Sequence, residues 1–387
     1  MRSTAPKDPG AIQTDWEGRT AMFRSTHLVR RAAAVAALVL VPFAGAIQPA
    51  AAEGPAGHVY IQTNDPSGNE VIAFARAANG ALTREQTVET GGLGNAPTGL
   101  GSQGSIAITD DGSGLLVVNA GSDDVSLFDI GSDGLHLADV TSVGDLPVSV
   151  AVHGSIAYVL NQGADTIQGL RIAGDDLVGI PHSTANLSGR AVGGAQVAFS
   201  PNGRLLAVTE KATQTIDTYA VRPNARAVGP KVQHSSGATP FGFQFGPDGR
   251  LYVSEAPASA ASSYDVATDG TLSVISASVP NNQLAACWLI VTSDGRFAYT
   301  ANAGSANVSE YTIASNGALA LVGTGAAGST DPGPVDLDIT NGDGFLFVLN
   351  SKTGSISGFS VNATDGSLTA IGAASGFAAG GAGLIAV

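Results

Sequence analysis

Cysteine is nearly absent. Cys287 is the single one in 387 residues, so no disulfide can form within the chain. Charge is scarce as well: Asp, Glu, Lys and Arg make up 13% of the residues, where an ordinary soluble domain carries about 25%. The charge present is one-sided, with Lys+Arg 18 against Asp+Glu 32 and a net charge of -14. A chain this short of cations cannot neutralise phosphates, which argues against nucleic acid and anionic membrane as partners. Solubility accounts for the acidity. No Gly-x-Ser-x-Gly elbow precedes a helical pattern, so a Ser-His-Asp relay has no local signature. No apolar run is long enough to span a bilayer; Ala32 to Ile47 is too short.

Glycine and turn signals are abundant, with Gly 51. The stretch Ala195-Gln196-Val197-Ala198-Phe199-Ser200-Pro201-Asn202-Gly203-Arg204-Leu205-Leu206-Ala207-Val208-Thr209-Glu210 reads as strand, tight turn, strand. Its large apolar residues alternate with smaller ones, the period of a strand, and Ser-Pro-Asn-Gly supplies the reversal. Copies of it recur at Thr109–Asn119, Gly246–Glu255 and Thr292–Asn302. A spacing of roughly 40–50 residues with several strands per unit is the signature of propeller blades. The expected fold is therefore all-β: a seven-bladed β-propeller with four-stranded antiparallel blades.

Along the chain, residues 1–21 carry no apolar period and read as an untranslated or disordered extension. Residues 22–52 read as a secretory signal peptide: Arg24, Arg30 and Arg31, then the apolar run, then Ala50-Ala51-Ala52 before Glu53. A secreted or periplasmic protein follows, with no membrane attachment after cleavage and the mature chain near Glu53. Residues 53–387 form the propeller. The second strands are placed at His58–Thr63, Leu115–Asn119, Ile156–Asn161, Leu205–Glu210, Leu251–Glu255, Phe297–Asn302 and Phe345–Asn350, each unit ending in a short fourth strand. The first unit lacks a first strand, and Gly383-Leu384-Ile385-Ala386-Val387 stands alone at the end. That pentamer is expected to complete the first blade and close the ring. A closed ring has no need to oligomerise, so a monomer is expected.

Two rings of residues mark the axial mouth where first strands begin. One comprises Ser105, Ser149, Gln196, Gly242, Trp288, Asp336 and Leu384. The other, at the ends of second strands, comprises Asn64, Asn119, Asn161, Glu210, Glu255, Asn302 and Asn350. Asn suits a turn cap. Glu210 and Glu255 need another reason, either an ion pair (Glu210 with Lys211 or Arg190) or a role as ligand-binding group or general base. Trp288 and Phe241 read as packing between blades or as a stacking platform. None of His58, His136, His153, His182 or His234 falls on the inner ring, so neither a Cys287–His nucleophile nor a metal centre is expected, and no cofactor is implied.

The repeats resemble the lactonase family of seven-bladed propellers, which includes 6-phosphogluconolactonase-type hydrolases and carboxymuconate-lactonising cyclases. The resemblance lies in Val208-Thr209-Glu210-Lys211-Ala212-Thr213, in Thr239-Pro240-Phe241-Gly242-Phe243 with Val253-Ser254-Glu255-Ala256, and in Ala285-Ala286-Cys287-Trp288. It implies a lactone as ligand. Active members carry a Pro-Arg-His run at one first strand, where this chain has Gly194-Ala195-Gln196, and another His where it has Pro147-Val148-Ser149; Glu210 matches the family's Glu. Lactone opening needs a base for water and donors for the oxyanion. Glu210, Glu255 and Gln196 are the catalytic candidates. Trp288, Phe241, Arg190, Ser149 and Asp336 are the substrate-binding ones. Two readings stand: a secreted lactonase-type enzyme with a rearranged site, or a non-catalytic propeller binding a small ligand, glycan or protein at the same mouth.

Overall fold

The computed structural model describes residues 54–97 and 99–387. The expected extension and signal peptide lie outside the described residues. Every regular element among those described is a strand, and no helix is long and apolar enough to cross a membrane.

The strands form seven antiparallel sheets, one per blade. The inner strands are Gly383–Ala386, Ile106–Ile108, Pro147–His153, Gly194–Phe199, Pro240–Phe245, Ala286–Val291 and Pro334–Ile339, for blades 1 to 7. Ring closure is as expected. The terminal strand pairs with Gly57–Gln62, from Val59 opposite Ala386 to Gln62 opposite Gly383. The second strand of blade 1 thus begins one residue earlier than the pattern of apolar residues suggests.

The outer strands differ from expectation. They are not short: those of blades 2 and 5 are Gly134–Ser142 and Leu272–Pro280. Their residues mix buried or partly buried with exposed positions, because only one face meets a neighbouring blade. Gly-rich turns hid their length. In blades 3 and 6 the outer strand is split in two, as Asp176–Gly179 with Ala185–Asn186 and Leu319–Leu321 with Gly328–Ser329.

One corner recurs before the inner strands of blades 3 to 7. Leu146, Gly193, Thr239, Ala285 and Gly333 all adopt positive φ. Each offers its carbonyl to the amide just past the second strand, as in Gln162 N to Leu146 O at 2.9 Å and Ala256 N to Thr239 O at 3.2 Å. A bulge follows, so Ser149, Gln196, Trp288 and Asp336 sit opposite Leu160, Thr209, Ala301 and Leu349 in the same register. Left-handed φ strains a residue with a Cβ, so the corner is held by the ladder around it.

Between blades, the sheets bury apolar faces against each other. Tyr299, Leu346, Val348 and Phe359 pack between blades 6 and 7, and Val59, Ile72, Phe347 and Leu349 between blades 7 and 1. The last strand contributes Leu384 and Ala386 to this second cluster. Deleting residues 383–387 opens blade 1 and exposes the edge of Gly57–Gln62, so the thermal midpoint should fall by on the order of 10 °C or more. Calorimetry on the truncated chain checks this; an unchanged midpoint would show that the ring does not depend on its closing strand.

Candidate functional site

The axis has two ends, and the structure treats them differently. At the end where inner strands begin, residues 99–105 cross the axis as a strap. Gln103 donates Nε2 to Leu289 O at 2.9 Å and accepts from Leu289 N at 3.0 Å, in blade 6. Its own N–H donates to Ala195 O in blade 4 at 3.1 Å. Ser102 donates to Val148 O in blade 3 at 2.7 Å. Trp288 Nε1 donates to Ser102 O at 2.7 Å, and Lys211 Nζ to Gly101 O. A Cβ on Gly242 would stand 1.9 Å from Gln103 Oε1, so only glycine lets the strap lie this low. The inner strand of blade 2 is short because its start has been used to build the strap.

The residues expected at this mouth are therefore mostly engaged. Trp288 and Phe241 are buried and meet edge to face, 5.3 Å between centroids. Lys211 Nζ lies 5.1 Å over the Phe241 ring, and burial lowers its pKa to about 8. Cys287 is buried beside them, its thiol pushed up to about 12 by burial. Ser149 accepts from Val197 N at 3.2 Å, Gln196 Oε1 from Phe243 N at 2.7 Å, and Asp336 Oδ2 from Leu384 N at 3.1 Å. Each bond ties one inner strand to the next. Arg190 stands exposed on the loop before blade 4.

The second ring ties blades as well. Asn119 donates to Ser126 in its own blade at 2.7 Å and accepts from Asn69 and Thr90 of the preceding one at 2.8 and 2.7 Å. Glu210 occupies the equivalent place in blade 4 and is fully buried. Its partners are all donors: Ser188 N at 2.9 Å, Ser188 Oγ, Thr213 Oγ1 at 2.6 Å and Thr215 Oγ1 at 2.8 Å. That explains Glu in place of Asn, and neither Lys211 nor Arg190 is among those partners. Burial raises the Glu210 pKa, but the hydrogen bonds from Ser188 and Thr213 outweigh it and the net shift is downward. Asp217 beside it is pushed up to about 8 by burial and by the Glu210 carboxylate, so one proton serves two carboxyls. Glu255 is also fully buried, with Oε1 accepting from Gly237 N at 2.8 Å and Ser262 Oγ at 2.5 Å.

The opposite end is open. A cleft of about 640 Å³ lies among the ends of inner strands, lined by Gln244, Ile290, Asp338 and Ala386 and by the turns after them. These residues are reached by stepping two positions from the expected ring: Gly242 to Gln244, Trp288 to Ile290, Asp336 to Asp338, Leu384 to Ala386. A strand alternates its faces, so the same side points inward twice. Seven such positions exist, and only Gln244 and Asp338 are polar among Ala107, Ala151, Ala198, Gln244, Ile290, Asp338 and Ala386. The period-two alternation of the inner strands is the signal in the sequence that reaches these residues. Asp338 Oδ2 accepts from Ala386 N at 2.9 Å and Oδ1 from Ile339 N at 2.9 Å. Burial nevertheless pushes its carboxyl up to about 7. Gln244 Oε1 is held by Val291 N at 2.5 Å, which leaves its Nε2 protons for a ligand.

A closed ring of seven antiparallel blades, with one axial end strapped and the other open, defines the described residues as a β-propeller with an open axial cleft. A family model described as "Lactonase, 7-bladed beta-propeller" matches residues 67–177 and 271–385, and the chain belongs to that family. Among solved structures it is similar to a protein from Lactobacillus plantarum (TM-score 0.71, 19% identity, 86% of this chain and 99% of that one). It is similar to a putative 6-phosphogluconolactonase from Bacteroides fragilis (TM-score 0.64, 21% identity, 88% and 100%). A third is the periplasmic gluconolactonase of Pseudomonas aeruginosa (TM-score 0.67, 18% identity, 86% and 99%). No curated protein matches in sequence.

The buried carboxyls set a pH dependence. Asp217 is raised to about 8, and Asp338 and Glu310 to about 7, each mainly by burial. The folded chain holds these protons more tightly than the unfolded one. Their support is complete below the ordinary carboxyl range near pH 4 and is lost as pH rises towards 8. The thermal midpoint should fall between pH 5 and pH 8.5 by on the order of 5 °C, and Asp217→Asn should flatten the slope. Calorimetry across that range checks it; a midpoint that rises with pH would contradict the assignment.

Proposed function

We propose that the chain hydrolyses a lactone in the open axial cleft, with Asp338 as the general base. Membership of the lactonase family supplies the reaction class. The observation that carries the site is that the two polar residues at these inward positions, Asp338 and Gln244, both line the open axial cleft. A base is most effective when its pKa lies near the working pH, and Asp338 meets that condition. In the reaction, the Asp338 carboxylate takes a proton from water as the water oxygen bonds to the lactone carbonyl carbon. Gln244 Nε2 donates to the oxyanion that forms. The ring C–O bond then breaks, and Asp338 returns its proton to the leaving oxygen. The product is an open-chain hydroxy acid.

Glu210 and Glu255, the bases expected from sequence, are the comparators. Glu210 accepts from donors on both oxygens and Glu255 accepts from Gly237 N and Ser262 Oγ on Oε1, which favours a tying role. The second reading, a propeller that binds without turnover, is favoured by the strapped mouth and by the replacement of the family's Arg and His runs with Gly194-Ala195-Gln196 and Pro147-Val148-Ser149. The ligand is then the same small molecule, held and not opened. Export, as the N-terminal pattern suggests, would place either activity outside the cytoplasm.

Hydrolysis of sugar and aromatic-acid lactones by the full chain tests this beside Asp338→Asn and Glu210→Gln. Asn at 338 can still accept from Ala386 N, so the fold should hold while kcat falls about 10²–10⁴-fold. In the unaltered protein kcat/KM should rise with pH and level off above about 7, because the ionised carboxylate is the active form. Glu210→Gln should lower the melting temperature and spare turnover. Loss of turnover in Glu210→Gln alone would return the base to that residue, and no turnover of any lactone would leave the binding reading.

A further inference from the structure

We infer that the cleft takes an uncharged polyhydroxy lactone and rejects phosphorylated and carboxylated ones. This rests on the open cleft being the reaction site. The charge of its lining is the first ground. Asp110, Asp111, Asp338 and Asp343 line it, and no lysine or arginine does. The carboxylates are fixed in place. Asp343 accepts from Ser293 N at 3.0 Å and from Ser293 Oγ at 2.6 Å. Asp110 accepts from Gly154 N at 2.7 Å. Asp111 accepts from Thr109 and Ser113, and these bonds hold it down to about 2. The rim is therefore anionic at neutral pH.

The second ground is the neighbouring surface. A further cleft of about 600 Å³ shares His58, Tyr60 and Ile130 with the first and adds Glu85 and Asp133, again with no lysine or arginine. His58, whose ring stacks on Tyr60 at 5.8 Å, is the one lining group in either cleft able to become a cation. Its Nε2 lies 3.2 Å from Glu85 Oε2, so a positive charge there is already matched. Phosphate recognition needs guanidinium, ammonium or convergent backbone N–H groups. Carboxylates instead accept from hydroxyls, which suits a sugar-like ring. The same charge acts on the product. Opening a neutral lactone creates a carboxylate against an anionic wall, which drives release.

The full chain should turn over glucono-δ-lactone with kcat/KM on the order of 100-fold or more above that for 6-phosphoglucono-δ-lactone. The gap should narrow at high salt and in an Asp110→Asn, Asp343→Asn double variant. Gluconate should inhibit weakly. Equal or faster turnover of the phosphorylated lactone, lost in Asp338→Asn, would overturn the inference and leave the reaction site standing. If neither lactone is opened, calorimetry with glucono-δ-lactam and with 6-phosphogluconate decides. Binding of the neutral lactam alone upholds the charge inference without catalysis. Binding of 6-phosphogluconate as tightly, or of neither, overturns it.

Discussion

An inner propeller strand has a neighbour on one side only, so its axial edge carries amides that no ladder satisfies. Leaving them bare in a narrow channel would be costly. In this chain the preceding blade supplies the acceptors. Ser149 caps Val197 N, Gln196 caps Phe243 N, Gln244 caps Val291 N, and Asp336 and Asp338 cap Leu384 N and Ala386 N. These bonds join blades 3 to 4, 4 to 5, 5 to 6 and 7 to 1, and fix those inner strands relative to each other. Where polar groups would otherwise suggest chemistry, most are committed to this work. The candidate site is what remains: Asp338 and Gln244, which perform the capping and still line an open cleft.

The closing strand shows how much depends on it. Gly383–Ala386 is paired on one side by Gly57–Gln62 and gripped on the other by two aspartates of one strand, Asp336 and Asp338. The cost is desolvation, which raises both pKa values. Ring closure and the proton affinity of Asp338 thus have one origin.

The fold was legible because its signals are local and repeated. Turn tetrads such as Ser200-Pro201-Asn202-Gly203 and period-two runs such as Leu205–Glu210 each specify a hairpin, and the orphan Gly383–Val387 specifies closure. The site was less legible. The sequence marks the position of Glu210 but not that Ser188, Thr213 and Thr215 converge on it from separate segments. Nothing in Gly99–Ser105 announces that a connection will leave its blade and bond to blades 3, 4 and 6. Asp338 was visible as the next inward residue after Asp336, yet its burial depends on the packing of a strand from the far end of the chain.

Blade 6 lies across the ring from blade 2, so a strap from blade 2 that bonds to Leu289 and Trp288 of blade 6 has to pass over the axis. Among the described residues the propeller is therefore a cup and not a pipe. Under the proposed function, substrate and product would share the open end as one doorway. A doorway lined by Asp110, Asp111 and Asp343 would then meet both with the same charge, on the way in and on the way out.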